Sequence, residues 1–562
     1  MSDGRSSAIS DAAMLAVIAL GAAVLAAVWL WGGIAGALFG GGWPPVAPAQ
    51  LAWVIIRLPG HLSDPAAAWP AGARPRLPGA GGCYVALGML AGGLSSVAAL
   101  ASRAGLTAAL GRRATEGARW ASASELRALH GRARSGRLAL GRCRGRLLYA
   151  EQRHALVAFG PPQSGKSAGL AVPALLEWDG PAVASSIKTD LLAATAARRR
   201  EMGPVFVFDP FELSGAAAHT WSPLRGARTW DGALEVAWRL AAAGELDQRG
   251  VEGGDFWAIA AEQRLAPLLF TAAATGAGMD AVLRWTYGQG SRELDQAISE
   301  LTGAARDEAE LEGAHAAYDA LRAFEAQADR TRSSIEATAQ GLLRAYRFGR
   351  VLRSARSSQI TPDGVLDERA TVYLIGDAKA SKLLRPIFLA LLSEIVDRAY
   401  ERATLAGGRL ELPLLLCLDE AGNVAPLPNL AEVASTAPSH NIQLVSIFHD
   451  LAQARSRYGR QAETVVNSHR ARMLLPGVAD LDTLRYFSGL AGEEEARETT
   501  RTTGAGGGSR TTGVRRRPLV APEALRQLPA GQALLLYGRI PPVQVRLRLW
   551  FADRRLRRLA AP

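Results

Sequence analysis

The chain has 562 residues, 49% of them hydrophobic, and a formal charge of +12 at pH 7, which at roughly 150 residues per module allows two to four modules. The charge rests almost wholly on arginine, since Lys166, Lys188, Lys379 and Lys382 are the only lysines; it points to a polyanionic partner or an anionic membrane surface, or to a compositional bias toward Ala, Gly and Arg. Three scattered cysteines without a CxxC and eight histidines without an HExxH argue against a disulfide framework or a zinc centre.

From Ala12 to Phe39 no residue is charged, and the run exceeds the roughly 20 residues a membrane-spanning helix needs. A cleaved signal peptide fits poorly, because Met1 to Asp11 is not basic. A second uncharged run, Leu77 to Ser102, is followed by Arg103, Arg112, Arg113 and Arg119. Between Arg103 and Arg146 eleven arginines face two acids, Glu116 and Glu125, whereas the intervening loop carries Arg57, Arg74, Arg76 and Asp64. The asymmetry predicts a membrane anchor over 1–110, with spans at about 12–39 and 77–102, loop 40–76 outside and both termini cytoplasmic. Within that loop, Leu51 to Ile56 is expected at the membrane interface.

Gly160-Pro161-Pro162-Gln163-Ser164-Gly165-Lys166-Ser167 fits GxxxxGK[ST] and lies between the apolar run Ala155 to Phe159 and a helix predicted from Ala168. Glycines let backbone amides close around phosphates, and the helix adds its positive N-terminus. Lysine then reaches the β- and γ-phosphates and Ser167 holds Mg²⁺. The expected nucleotide contacts are Gly160, Pro161, Pro162, Gln163, Ser164, Gly165, Lys166, Ser167 and Ala168, with ATP and Mg²⁺ as cofactors.

Further apolar runs follow at Ala182 to Ala184, Val205 to Phe208, Ala370 to Ile375, Leu414 to Leu418 and Ile442 to Phe448. Near-continuous apolar strands alternating with helices predict a parallel sheet covered on both faces, an α/β core over 111–240 and 351–562. Residues 241–350, rich in Ala, Glu, Leu and Arg at helical spacing, predict an all-helical insertion. The Thr, Gly and Arg tract from Glu493 to Arg517 predicts a flexible loop. Order is expected again over Leu525 to Tyr537, with a last strand near Val543 to Trp550.

The run Leu414 to Leu418 ends in Asp419 and Glu420, the acids a triphosphatase needs: Asp419 on the metal and Glu420 as general base. The strand ending in His449 is expected beside it, so His449 or Gln453 could sense hydrolysis, though a polar strand end also caps the next helix. Lys188 ends another strand on the same rim. Asp209-Pro210 reads as a turn.

SSIKTDLLAAT, VFVFDP, WSPL, LLCLDEAGNV, FHDLAQARSRYG and VVNSHRARMLLPG occur in this order after the two apolar runs and the P-loop. The whole resembles the type IV coupling proteins of the VirD4/TraG class, the membrane ATPases of conjugation and type IV secretion. The resemblance implies a RecA-like motor, hexameric in the inner membrane, that recruits a relaxase on single-stranded DNA and drives it toward the channel proteins. A motor for protein cargo alone, or a docking platform with weak ATPase activity, remains open. It assigns Lys166, Ser167, Asp419 and Glu420 to the P-loop and acidic pair and Gln453 to a sensor glutamine. Two departures stand out: His449 replaces the first sensor glutamine, and Ser435 to His440 holds no arginine where many members carry one. Arg455, Arg457, Arg470 and Arg472 are the substitutes open to a neighbouring subunit's site.

Overall fold

The computed structural model describes residues 4–103, 117–131, 136–248, 254–504 and 507–561. The chain forms two compact units, Met1–Glu116 and Gly117–Pro562.

In the first unit, helices Gly4–Phe39 and Ala80–Arg103 are joined by a loop containing the helix Pro48–Arg57. Glycines let the loop's tryptophans close on the first helix: a methyl on Gly32 would collide with Trp69, and one on Gly33 with Trp43. Trp31 Nε1 donates to Cys83 O at 2.7 Å, tying the two long helices. The loop helix buries Leu51 and Val54 and leaves Trp53 and Ile56 exposed. Two spans were expected. Among the described residues only Gly21–Phe39 is long and apolar enough to cross a membrane. The second run is helical too, 24 residues from Ala80 to Arg103; its side chains beyond Ser96 lie outside the described residues. Arg112 and Arg113, the expected positive stop, lie outside the described residues.

The second unit is built on a sheet of strands β1 (Ala139–Cys143), β2 (Arg146–Tyr149), β3 (Leu156–Phe159), β4 (Ala182–Ser186), β5 (Val205–Phe208), β6 (Thr371–Ile375), β7 (Leu414–Leu418), β8 (Ile442–Phe448) and β9 (Ala471–Leu474). After the hairpin strands β10 (Glu493–Gly504) and β11 (Gly507–Pro518), β12 (Gln532–Tyr537) and β13 (Ile540–Arg546) complete it. The order is β2-β1-β13-β12-β9-β3-β8-β7-β4-β6-β5. The seven strands from β9 to β5 pair in parallel, and the remaining four are antiparallel. The expected parallel sheet is therefore a mixed one whose parallel part carries the site.

Alternation along each strand feeds both faces. Val157 and Phe159 of β3, with Leu414, Leu416 and Leu418 of β7, join one hydrophobic cluster. Leu156, Ala158, Leu415 and Cys417 join the other. Between β5 and β6 the described chain is helical from Trp230 to Leu343, starting before residue 241. Leu265, Leu269 and Phe270 from this stretch share the cluster of Val157.

The tract Glu493 to Arg517, expected as a flexible loop, is a correction. It forms the antiparallel pair β10 and β11, in register from Glu493↔Pro518 to Gly504↔Gly507. Threonine favours extended backbone, and ladder hydrogen bonds need no apolar core. Opposite charges at the base help, with Arg517 2.8 Å from Glu494. The last strand is also earlier than expected, Ile540–Arg546 rather than Val543 to Trp550.

Candidate nucleotide-binding site

β3 ends at Phe159, and the P-loop turns away from the sheet over the next residues. Gly160 N donates to Phe448 O of β8 at 3.0 Å, and a methyl on Gly160 would lie 2.5 Å from Ser164 Oγ. Gln163 and Gly165 take left-handed backbone, φ 66° and 88°, which glycine adopts freely and other residues only at a cost. Pro162 and Gln163 are exposed, Ser164 and Lys166 buried, and Gly165, Ser167 and Ala168 in between. A wide π turn over Ser167–Ala171 leads into the helix Val172–Glu177.

β8 lies between β3 and β7, so the acidic pair and the P-loop meet at adjacent carboxyl ends of parallel strands, where α/β sheets place their ligands. Ser167 Oγ donates to Asp419 Oδ2 at 2.5 Å. Lys166 Nζ is 3.8 Å from Glu420 Oε1 and 3.5 Å from His449 Nε2. His449 Nε2 is in turn 3.8 Å from Glu420 Oε1. The sequence separates Ser167 from Asp419 by 252 positions; the sheet order removes that distance.

Burial sets the electrostatics. Asp419 is 3% exposed and desolvation raises its pKa, against the pull of the Ser167 hydrogen bond and Lys166. Its Oδ1 has no hydrogen-bond partner among the described residues. Desolvation lowers the pKa of Lys166, opposed by Glu420 and Asp419. For Glu420 burial pushes upward, but hydrogen bonds from His449 and Asn423 and the charge of Lys166 outweigh it, and the net shift is down. Glu420 also holds left-handed backbone, φ 60°, strain of a kind concentrated at functional sites.

Gln453 stands one step back from this cluster. Its Oε1 accepts from His449 N at 2.7 Å, while Asp450 accepts from Gln453 N at 2.8 Å. It therefore starts the helix Leu451–Tyr458 in the manner of a capping box and steadies His449. Lys188 lies close enough to depress the Lys166 pKa by repulsion. Asn423, not among the expected site residues, donates to Glu420 Oε2 at 3.1 Å; its place three residues after Glu420 is the signal for it. The candidate arginines are engaged within the chain. Arg455 pairs with Glu463 and Asp482, Arg457 donates to Gly422 O, Arg470 lies 3.5 Å from Glu151, and Arg472 donates to Val466 O and Asn467 O. Pro438, in the segment lacking an arginine, is buried.

The family model described as Type IV secretory system Conjugative DNA transfer matches residues 119–561. The chain belongs to that family. Among curated relatives, the conjugal transfer protein TraG of Escherichia coli is 25% identical over 444 residues, covering 71% of this chain and 67% of TraG. VirD4 of Rhizobium rhizogenes is 22% identical over 455 residues, covering 79% of this chain and 66% of VirD4. Among solved structures, the unbound conjugative coupling protein TrwBΔN70 superposes with a TM-score of 0.56 at 18% identity, covering 77% of this chain and 93% of TrwBΔN70. TrwB in complex with ADP and Mg²⁺ gives 0.55, also at 18% identity, covering 77% of this chain and 94% of that one. The resemblance to type IV coupling proteins of the VirD4/TraG class is borne out, and the conjugative DNA transfer fold carries the site described above.

Proposed function

We propose that this chain is a membrane-anchored ATPase that couples hydrolysis to the movement of relaxase-bound single-stranded DNA toward a type IV secretion channel. The observation that carries the reading is the meeting of Lys166, Ser167, Asp419 and Glu420 at the carboxyl ends of β3 and β7, the parallel strands that flank β8.

The residues fit Mg²⁺ with a nucleotide: Asp419 keeps one buried oxygen without a partner among the described residues, and Ser167 is already turned to the other. Ser167 and Asp419 would hold the ion, whose charge neutralises that developing on the phosphates. The P-loop amides and Lys166 orient the triphosphate. Glu420, held charged by His449, Asn423 and Lys166, takes the proton of the attacking water. Gln453 fixes His449, which is within 3.8 Å of both lysine and base and can register their separation.

The helix Gly21–Phe39 and the basic stretch after it support an inner-membrane anchor with the catalytic unit in the cytoplasm. The helical stretch after β5 serves as the substrate-recognising insertion, 241–350 in outline. The need for a neighbour's arginine calls for assembly, and the family resemblance implies a hexamer. Since Pro438 is buried and the four nearby arginines are engaged, hydrolysis by the isolated chain is slow and rises with assembly and cargo.

The test is ATP turnover by the intact, detergent-solubilised protein and two variants. Lys166→Ala abolishes it, and Glu420→Gln lowers it by about 100-fold or more while ATP still binds. Turnover in Lys166→Ala equal to that of the unsubstituted protein sinks the enzyme reading.

A further inference from the structure

The sheet order returns the end of the chain to the P-loop. After β13, the segment Leu547 to Phe551 runs along the first turn of the P-loop helix. Leu547 N donates to Gly531 O at 2.8 Å and Trp550 N to Ala168 O at 3.0 Å. Leu547 and Leu549 fill the space over two glycines: a methyl on Gly169 would lie 3.1 Å from Leu547, and one on Gly165 3.3 Å from Leu549. Between them Arg548 is 4% exposed. It donates to Glu177 Oε2 at 2.7 Å, at the far end of the helix, and to Asp553 Oδ2 at 3.1 Å. The segment is thus fastened along the helix, with a carboxylate at its end and a backbone hydrogen bond at its start.

What lies beside Ala168 follows from the direction of the triphosphate. Loop amides hold the α- and β-phosphates, and lysine reaches β and γ. Lys166 is beside Glu420, so the γ-phosphate lies at the acidic pair. The α-phosphate, ribose and base therefore leave the loop on its Ala168 side. There the chain puts two aromatic residues in a sequence only 6% aromatic. Trp550 packs against the cluster containing Leu170 and Ala171. Phe551 sets its ring 6.0 Å from that of Trp550, edge to face, and is 52% exposed. An apolar ring this open gains nothing from water, and a nucleobase offers it a flat partner.

We propose that Trp550 and Phe551 form the wall against which the base of the bound nucleoside triphosphate stacks. The proposal rests on the reading of the P-loop as a nucleotide site. It makes the C-terminal segment part of that site and gives the chain a means to prefer a base-bearing nucleotide over bare polyphosphate.

Binding of Mg·ATP and of inorganic tripolyphosphate with Mg²⁺, measured by calorimetry on the full chain in detergent, tests it. The expected result is about tenfold weaker ATP binding by Phe551→Ala, with tripolyphosphate affinity unchanged and Phe551→Tyr restoring ATP affinity. Trp550→Ala should weaken ATP more than tripolyphosphate. Equal loss for both ligands in Phe551→Ala assigns the ring to support of the loop and overturns the stacking wall. Undiminished ATP binding in both alanine variants overturns it too. The underlying site reading fails separately: if the unsubstituted chain binds neither ligand, or Lys166→Ala binds both as well as it does, the phosphate site is absent and the wall falls with it.

Discussion

His469, between the helix Ala462–Ser468 and β9 in sequence, is fully buried, with Nδ1 2.7 Å from Val465 O and Nε2 3.0 Å from Ser446 Oγ. A neutral ring satisfies both: Nδ1 donates to the carbonyl and Nε2 accepts from the hydroxyl. Burial pushes its pKa from 6.5 down to about 4. The unfolded chain therefore binds this proton more tightly than the folded one, so the stability His469 contributes is complete above pH 6.5 and is lost as pH falls toward 4. At pH 5 the loss is about 2 kcal/mol. The melting temperature of the intact protein should fall more steeply between pH 7 and pH 5 than that of His469→Gln; parallel profiles would remove His469 from the pH response. At this scale Lys166, Ser167, Asp419 and Glu420 were legible from sequence because their chemistry demands fixed neighbours. Asn423 and the capping role of Gln453 were not, because local hydrogen-bond partners leave a weaker signature than a glycine loop.

Arg548 joins two elements distant in sequence, the end of the P-loop helix at Glu177 and the segment after β13. With Glu177 removed, Arg548 keeps Asp553 alone at 4% exposure, and breaking such a buried pair costs about 3 kcal/mol or more. Glu177→Ala should therefore lower the unfolding midpoint clearly. The double variant Glu177→Leu with Arg548→Met should recover most of the loss, and an unshifted midpoint in Glu177→Ala would show the pair to be idle. Buried parallel strands such as β7, with five apolar residues in a row, declare themselves in the sequence. Short strands such as β9, Ala-Arg-Met-Leu, and β1, with its glycine and arginine, do not, because tertiary pairing rather than pattern makes them strands. The hairpin β10 and β11 was missed for a related reason: a Thr, Gly and Arg tract without apolar alternation reads as loop, yet its ladder closes in full register.

Over the whole molecule, the P-loop core was legible, and the match to the conjugative DNA transfer family over 119–561 agrees with it. The second uncharged run is a helix as well, Ala80–Arg103, and its crossing of the membrane is a proposal. A helix already begins at Trp230, and helices of this stretch share a core with the sheet. A charge of +12 carried by arginine suits a polyanionic cargo, and phosphate contacts of that kind weaken with salt. We propose above that the site at Lys166 and Glu420 drives DNA. Its most direct test is the ATP hydrolysis rate of the intact protein with and without single-stranded DNA, over a range of protein concentrations and at two salt concentrations. A DNA-driving site gives a DNA-stimulated rate that rises cooperatively with protein, weakens with salt and vanishes in Lys166→Ala. A rate indifferent to DNA at every protein concentration would contradict it.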